Sequence, residues 1–235
     1  MKVGIMQPYI FPYIGYWQLI NAVDKFIVLD DVNYITRGYI NRNSILVNGK
    51  AYKFTIPVSK ASQNKLICES TLSFSDEDKQ KFLKTLYMAY KNAPIFNQVY
   101  PILEDIINNP TADLTDFITN SIFEICKYLN IETEIVKSSE LQKNNNLRAQ
   151  DRIIEICKVV GADTYINPCG GIELYSKDCF KQEDISLYFL TPKMSEIIYT
   201  QSKHPFVPYL SIIDLLMYNS VEKIQEFLLK FELNI

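Results

Sequence analysis

The chain has 235 residues, of which 48% are hydrophobic, and it carries a net charge of -3 with an isoelectric point near 5.3. A chain of this length and composition can bury one large core, so we expect a single α/β domain over residues 1–235. Basic residues are interspersed with acidic ones and form no stripe that would neutralise a phosphate backbone. We therefore expect no nucleic-acid partner.

The first residues lead directly into a short apolar run that Gln7 and Pro8 interrupt. This pattern fits neither a signal peptide nor a membrane span, so we expect a cytoplasmic protein without a membrane partner. Five cysteines without a CxxC pair argue against a disulfide framework and a zinc knuckle. The single histidine, His204, excludes a two-histidine metal site, and we expect no metal bound by the protein's side chains.

The start of the chain has the pattern of a parallel α/β sheet. Residues 2–6 are predicted to form a buried strand, residues 15–23 a helix and residues 25–30 a second buried strand. A strand, a helix and a strand within about 30 residues match a right-handed βαβ unit. Such a unit places ligands at the carboxyl ends of its strands, where both Gln7 and the Asp30-Asp31 pair follow.

The remaining elements follow from turn residues and hydrophobic periodicity. The segment 44–58 is predicted to be a β-hairpin that turns at Asn48-Gly49, a pair that tolerates positive φ. Helices are predicted near residues 76–91, 95–108, 114–129, 149–160, 211–217 and 220–230, and strands at 132–136, 163–166 and 186–190. The polar segment 142–147 is expected to be a mobile loop, which we interpret as a connection rather than a lid.

The loop of residues 7–16 is a candidate ligand site. Two prolines prevent regular structure, Gly15 permits close backbone approach, and Tyr9, Tyr13 and Tyr16 offer hydroxyl donors before a helix N-terminus. An anion or a sugar would suit this loop. The alternative is an aromatic plug over the core.

Two further polar groups follow in the chain. Asp30 and Asp31 end a buried strand, where a carboxylate can accept a proton, hold a ribose hydroxyl, bind Mg²⁺ or only cap the strand end. A polar cluster that is suited to binding a diphosphate is formed by Arg37, Asn41, Arg42 and Asn43, with surface solvation as the alternative.

A glycine pair follows the predicted strand at 163–166. Backbone amides of Gly170 and Gly171 are placed to line a phosphate or oxyanion site, and Tyr175 is close in sequence. A nucleophilic Cys169 would permit a thioester route, but we favour a glycine turn with a bystander thiol.

Residues near the end of the chain give two more candidates. His204 is either a general base or part of a surface turn. Asp214 lies in the first turn of a predicted helix, where capping is a sufficient explanation.

Four segments resemble the WbqC-like proteins, and together they span nearly the whole chain. They are Met-Gln-Pro-Tyr-Ile-Phe-Pro-Tyr-Ile-Gly-Tyr at 6–16, Leu-Asp-Asp-Val at 29–32, Asn-Arg-Asn at 41–43 and Pro-Phe-Val-Pro-Tyr-Leu-Ser-Ile-Ile-Asp-Leu-Leu at 205–216. The resemblance implies a bacterial protein from gene clusters that make O-antigen, the lipopolysaccharide side chain, and other surface glycans. It further implies modification of an amino-sugar nucleotide by glycine or another acyl group.

A second, more distant resemblance concerns the fold. Tyr-Ile-Gly-Tyr at 13–16 occupies the place where pantothenate synthetase and related nucleotidyltransferases of the HUP superfamily carry a His-x-Gly-His motif. Lys-Met-Ser at 193–195 is similar to the start of their KMSKS loop. The resemblance implies a Rossmann-like, HUP-type parallel sheet with flanking helices, and ATP with Mg²⁺ as cofactor. Tyrosine donates only a neutral hydrogen bond where histidine can carry positive charge, so adenylation and transfer of a pre-activated acyl group both stay open.

The favoured hypothesis is an enzyme that joins a small carboxylate such as glycine to the amine of an amino-sugar nucleotide. The alternatives are a nucleotidyltransferase and a non-catalytic sugar-nucleotide-binding protein. We expect catalytic roles for Asp30, His204 and Tyr16. The expected substrate-binding residues are Gln7, Tyr13, Asp31, Arg37, Arg42, Asn43, Gly170, Gly171, Tyr175 and Lys193.

Overall fold

A computed structural model of the chain describes residues 1–201 and 205–234. Its strands are β1 (Lys2–Met6), β2 (Lys25–Val28), β3 (Arg42–Val47), β4 (Lys50–Thr55), β5 (Glu134–Lys137), β6 (Thr164–Pro168), β7 (Ser186–Pro192) and β8 (Phe231–Asn234). Its helices are α1 (Ile14–Asn21), α2 (Asp76–Tyr90), α3 (Phe96–Asn108), α4 (Leu114–Tyr128), α5 (Ala149–Val159), α6 (Lys177–Gln182), α7 (Ile212–Tyr218) and α8 (Val221–Leu228).

The central sheet has six strands in the order β5-β2-β1-β6-β7-β8. The first five are parallel, and β8 adds to the β7 edge in the antiparallel sense. The chain builds outward from β1 to β2 and β5, and then α5 carries it back across β1 to β6. This reversal between β1 and β6 is the switch point at which Rossmann-like sheets bind ligands, so the predicted fold class is confirmed.

Alternation of side chains along the strands produces a core on each face of the sheet. Val3 and Ile5 face the layer of α5 and α6, where they belong to a core with Ile153, Ile156 and Phe180. The opposite face is covered by α1, the C-terminal helices and the α2–α4 group. Gly4 lies on that second face, where a Cβ would be 3.2 Å from Leu19 Cγ, so the glycine lets α1 pack directly on β1.

The hairpin β3–β4 forms a separate two-stranded sheet that turns at Asn48-Gly49, as expected. Both turn residues have positive φ, +50° and +73°, which is the requirement of a type I′ turn. Two elements were missed from the sequence, α6 and β8, and the last helix ends at Leu228, before the expected residue 230. Both elements are too short, at 6 and 4 residues, to display a clear period.

Within the described residues, no helix combines the length and apolar character needed to cross a bilayer.

Candidate functional site

A crevice opens at the carboxyl ends of β1 and β6, at the switch point of the sheet. We call it the central crevice. It has a volume of about 370 Å³, and its lining residues come from the ends of β1, β2 and β6, the start of α5 and the loop after β6: Ile5, Met6, Gln7, Tyr9, Leu29, Ile153, Asn167, Pro168, Gly170, Gly171, Leu174 and Tyr175. Four residues expected from the sequence to bind substrate, Gln7, Gly170, Gly171 and Tyr175, are therefore brought together.

The central crevice is polar but uncharged. Its described lining residues include no Asp, Glu, Lys, Arg or His. The Gln7 side chain makes no hydrogen bond within the described part of the chain, so its amide is open to a ligand. Burial raises the pKa of both Tyr9 and Tyr175, so the two phenols stay neutral at physiological pH, and the Tyr175 hydroxyl also interacts with the hydroxyl of Tyr165.

The loop after β6 is shaped by a contact between Gly171 and Asn167. A Cβ on Gly171 would lie 1.9 Å from Asn167 Nδ2 and 3.2 Å from Tyr175 Cε2, whereas one on Gly170 would meet nothing within 4 Å. The Asn167 side chain is itself fixed, because it accepts a hydrogen bond from the Tyr165 hydroxyl at 2.9 Å and donates one to the Pro168 carbonyl at 3.0 Å. Gly171 thus permits a close approach that positions this wall of the crevice.

Side chains from elsewhere in the core hold the loop of residues 7–16 in place. Phe11 is fully buried with φ at +43°, a left-handed conformation that costs a non-glycine residue about 1–2 kcal/mol. Asn43 Nδ2 donates hydrogen bonds to the carbonyls of Phe11, at 2.8 Å, and Ile10, at 3.2 Å. Asn43 was expected to contact substrate, but its side-chain amide hydrogen-bonds the backbone of this loop.

The two tyrosines in the place of the His-x-Gly-His histidines differ in environment. Tyr16 is 2% exposed, and its hydroxyl donates to the Gln7 carbonyl at 2.9 Å, so it tethers the loop from within the core. Tyr13 is half-buried and precedes α1. Its ring covers Gly15, where a Cβ would lie 2.5 Å from the Tyr13 hydroxyl. Burial raises the pKa of Tyr13, and the Tyr13 ring lies 6.2 Å from the ring of Tyr209.

Asp30 is fully buried and contacts neither the central crevice nor solvent. Its two carboxylate oxygens accept hydrogen bonds from the backbone N–H of Ser139, at 2.9 Å, and from the Ser139 hydroxyl, at 2.6 Å. Burial raises the pKa of Asp30, although the bonds from Ser139 act in the opposite direction. The structure therefore gives Asp30 a clear local role, which is to join the ends of β2 and β5.

Asp31 lies at a second cavity between the ends of β2 and β5, which we call the lateral cavity. Its Oδ2 is 2.6 Å from Lys143 Nζ and 2.7 Å from Arg152 Nη2, and all three side chains are buried. Lys143 also donates to the Ser138 carbonyl, so the polar loop at 142–147 is anchored through a buried lysine. Burial alone would raise the pKa of Asp31, but hydrogen bonds from Lys143 and Ser138 and the charges of Lys143 and Arg152 hold it below its usual value.

Lys143 and Arg152 were missed from the sequence. A signal for Arg152 was present, because it lies next to Ile153 and four residues before Ile156, on the buried side of α5. A cation at such a position requires a carboxylate partner. No comparable pattern identified Lys143.

Arg37, Arg42 and Lys193 line neither cavity. Arg37 is exposed and makes no hydrogen bond or ion pair in the described part of the chain. Arg42 Nε donates to the Gly38 carbonyl at 2.8 Å. Lys193 follows β7 and pairs with Glu232 at 3.0 Å. His204 lies outside the described residues.

Asp214 is the centre of a buried polar network. Its carboxylate accepts hydrogen bonds from the hydroxyls of Tyr90, at 2.9 Å, and Tyr199, at 2.7 Å, and from Gln201 Nε2, at 2.7 Å. Gln201 in turn bonds the backbone of Val207 through both ends of its amide. The network fastens the segment before α7 to α2, which explains Asp214 without any chemistry on a substrate.

Comparison with known proteins gives a family but no described activity. A model of the WbqC-like protein family matches residues 7–226. The chain is 27% identical to the uncharacterized protein Rv1507c of Mycobacterium tuberculosis (strain ATCC 25618 / H37Rv) over 217 residues, which cover 92% of each chain. No solved structure matches the chain.

Proposed function

The chain belongs to the WbqC-like protein family, and from that premise we propose that it is a transferase that acylates the amine of an amino-sugar nucleotide. The acyl group would come from glycine or another small carboxylate, and the product would be an amide. The setting we propose is the synthesis of O-antigen or other bacterial surface glycans.

The observation that carries this proposal is the central crevice. It lies where Rossmann-like sheets bind ligands, and its volume is within the range of small-molecule sites. The free amide of Gln7 and the neutral phenols of Tyr9 and Tyr175 are groups that hydrogen-bond sugar hydroxyls, while Leu29 and Leu174 offer apolar surface to a sugar ring. Because this lining is uncharged, we place the sugar and acyl groups of the substrates in the crevice and the diphosphate of the sugar nucleotide outside it.

The proposed reaction is attack of the sugar amine on an activated acyl carbon. The new C–N bond forms, the bond to the leaving group breaks, and the leaving group takes the electron pair. The Gln7 amide would donate a hydrogen bond to the carbonyl oxygen as negative charge develops there. Asp30 and His204 were the two groups expected to accept the amine proton. Both carboxylate oxygens of Asp30 already accept hydrogen bonds from Ser139. His204 is therefore the base that we retain.

The residues of the central crevice do not fit ATP with Mg²⁺. Among the described residues no cation lines the crevice to face a triphosphate, and the Tyr16 hydroxyl donates to the Gln7 carbonyl. In the described residues, no three His, Cys, Asp or Glu side chains are grouped as metal ligands. We therefore write the step with an acyl donor that arrives already activated, and ATP is one arm of the test.

The test is incubation of the protein with UDP-glucosamine and either glycine with ATP or a glycyl thioester, with mass spectrometry of the products. We expect the amide from the thioester. Amide that forms only with ATP would overturn the pre-activated route, and binding of UDP-glucosamine without product in either arm would overturn the transferase.

Variants connect the activity to the crevice. Loss of one hydrogen bond to a developing charge is worth about 1.5–3 kcal/mol, so Gln7→Ala is expected to lower kcat/KM about 10- to 100-fold. Gln63→Ala is the matched control, because Gln63 is an exposed glutamine that lines neither cavity. Equal activity of the two variants would remove Gln7 from the mechanism.

A further inference from the structure

The lateral cavity is separate from the central crevice, and the proposed reaction does not use it. Its volume is about 430 Å³, and it is lined by Asp31, Val32, Asn33, Leu66, Ser139, Asn145, Arg148 and Arg152. Both openings lie at the carboxyl edge of the sheet. Leu29, after β2, and Ile153, on α5, line the central crevice. Their near neighbours Asp31 and Arg152 line the lateral cavity.

Two buried polar atoms of the residues that line the lateral cavity make no hydrogen bond within the described chain. Lys143 and Arg152 both bond Oδ2 of Asp31, and its Oδ1 makes no such bond, although the neighbouring buried Ser138 hydroxyl is near enough to lower the pKa of this carboxyl group. Arg152 bonds through Nη2, which leaves its Nε–H without an acceptor. Asp31 and Arg152 are only 8% and 6% exposed, and a buried polar group without a partner costs about 1–3 kcal/mol. An acceptor and a donor are therefore unused on the same cavity.

The charge at the lateral cavity is unbalanced toward the positive. Two guanidinium groups, Arg148 and Arg152, and one carboxylate line it, and that carboxylate already pairs with Lys143. Arg148 Nη1 bonds the carbonyls of Asn145 and Leu147, and its other nitrogens make no hydrogen bond in the described chain. Arg148 is also the N-cap residue of α5 and makes no side-chain capping bond, so the helix N-terminus adds positive potential.

We propose that the lateral cavity binds a small oxyanion whose neighbouring group donates a hydrogen bond. The oxyanion, a phosphate or a carboxylate, binds Arg148 and Arg152 Nε, and the adjacent hydroxyl or ammonium binds Asp31 Oδ1. Such a ligand supplies an acceptor to Arg152 Nε and a further donor to Asp31 Oδ1, and its negative charge offsets the excess of guanidinium groups over carboxylates in the lining. Sugar phosphates and α-amino acids are two sources of this chemistry.

Calorimetric titration of the full-length protein tests the site without any acyl transfer, so its outcome is independent of the proposed reaction. The probes are ribose 5-phosphate, glycine and inorganic phosphate, in a buffer free of phosphate and carboxylate. We expect binding of ribose 5-phosphate or of glycine, and the tighter of the two identifies the source. Inorganic phosphate should bind more weakly than ribose 5-phosphate, because it brings no neighbouring donor to Asp31.

Arg148→Ala is the principal variant, because Arg148 is exposed and its removal leaves the buried pairs of Asp31 intact. Loss of a charge-assisted hydrogen bond is expected to weaken binding about 10- to 100-fold. Lys158→Ala removes the same charge from the other end of α5 and should leave affinity unchanged. Absence of binding, or equal affinity of both variants, would overturn the site, and equal affinity for phosphate and ribose 5-phosphate would overturn the role of Asp31.

Discussion

Gly170 and Gly171 are adjacent in the chain but differ in what surrounds them, and this difference gives a matched pair of substitutions. A methyl group on Gly171 would lie 1.9 Å from Asn167 Nδ2, while one on Gly170 would meet nothing within 4 Å. Gly171→Ala must therefore displace the Asn167 side chain. That side chain is 5% exposed and bonds both Tyr165 and Pro168, so it cannot move without breaking these contacts.

The cost of Gly171→Ala can be worked from those contacts. Two hydrogen bonds, one buried and one partly buried, are lost at about 1 kcal/mol each, which gives a decrease of about 2 kcal/mol in the free energy of unfolding. This agrees with the usual cost of overpacking, about 1–3 kcal/mol. In a chain of this size, the decrease corresponds to a fall in Tm of about 4–8 °C. Gly170→Ala is expected to change Tm by less than about 2 °C.

Urea unfolding followed by circular dichroism measures the stability of both variants, and calorimetry with UDP-glucosamine measures the crevice. Since Asn167 lines the central crevice, Gly171→Ala should also weaken UDP-glucosamine binding, while Gly170→Ala should retain it. Equal stability of the two variants would refute the reasoning from close approach. Equal binding with unequal stability would show that the position of Asn167 does not matter to the ligand.

Three further predictions concern buried polar groups. Tyr16→Phe removes the hydrogen bond to the Gln7 carbonyl. It should lower the free energy of unfolding in urea by about 1–2 kcal/mol and leave kcat unchanged. A fall in kcat at saturating substrate would restore a catalytic role to Tyr16. The pKa of Asp31 is lower in the folded than in the unfolded state, so the ionised carboxylate stabilises the fold. This stabilisation is fully present above the unfolded pKa of about 3.9 and is lost as the pH falls through the folded pKa. The stability difference between the wild type and Asp31→Asn should thus be constant from pH 5 to 7 and shrink below about pH 4; a difference that is flat to pH 2 would contradict the ion pairs. Lys143→Met removes the buried contacts that anchor the loop at 142–147, so amide hydrogen exchange in this loop should become faster. The control Lys158→Ala should leave the exchange rate unchanged. Unchanged exchange in both variants would mean that other contacts hold the loop.

Much of the fold was predictable because its signals are local. The βαβ unit at the start, the hairpin at Asn48-Gly49 and the long amphipathic helices each follow from periodicity or turn chemistry within a short window. The elements that were missed, α6 and β8, are too short to display a period, and β8 is a strand only because the edge of β7 accepts it.

The candidate site was predictable only in part. Gln7, Gly170, Gly171 and Tyr175 were expected from their positions after strands, and the sheet order brings them to one crevice. The partners of the other candidates depend on contacts between distant segments. Ser139, which hydrogen-bonds Asp30, is 109 residues away in the chain, so no local pattern predicts this contact.

The sequence by itself determined the α/β class, the family and the edge of the sheet at which polar residues collect, because the type of each element and the loops that follow the strands can be read from local patterns. Only the tertiary structure decided which of those residues are available to a ligand. Burial and pairing made that choice. The polar groups of Tyr16, Asp30 and Asn43 bond to the protein itself. Gln7 and Arg152 each keep a donor free, because no segment of the described chain comes close enough to accept it.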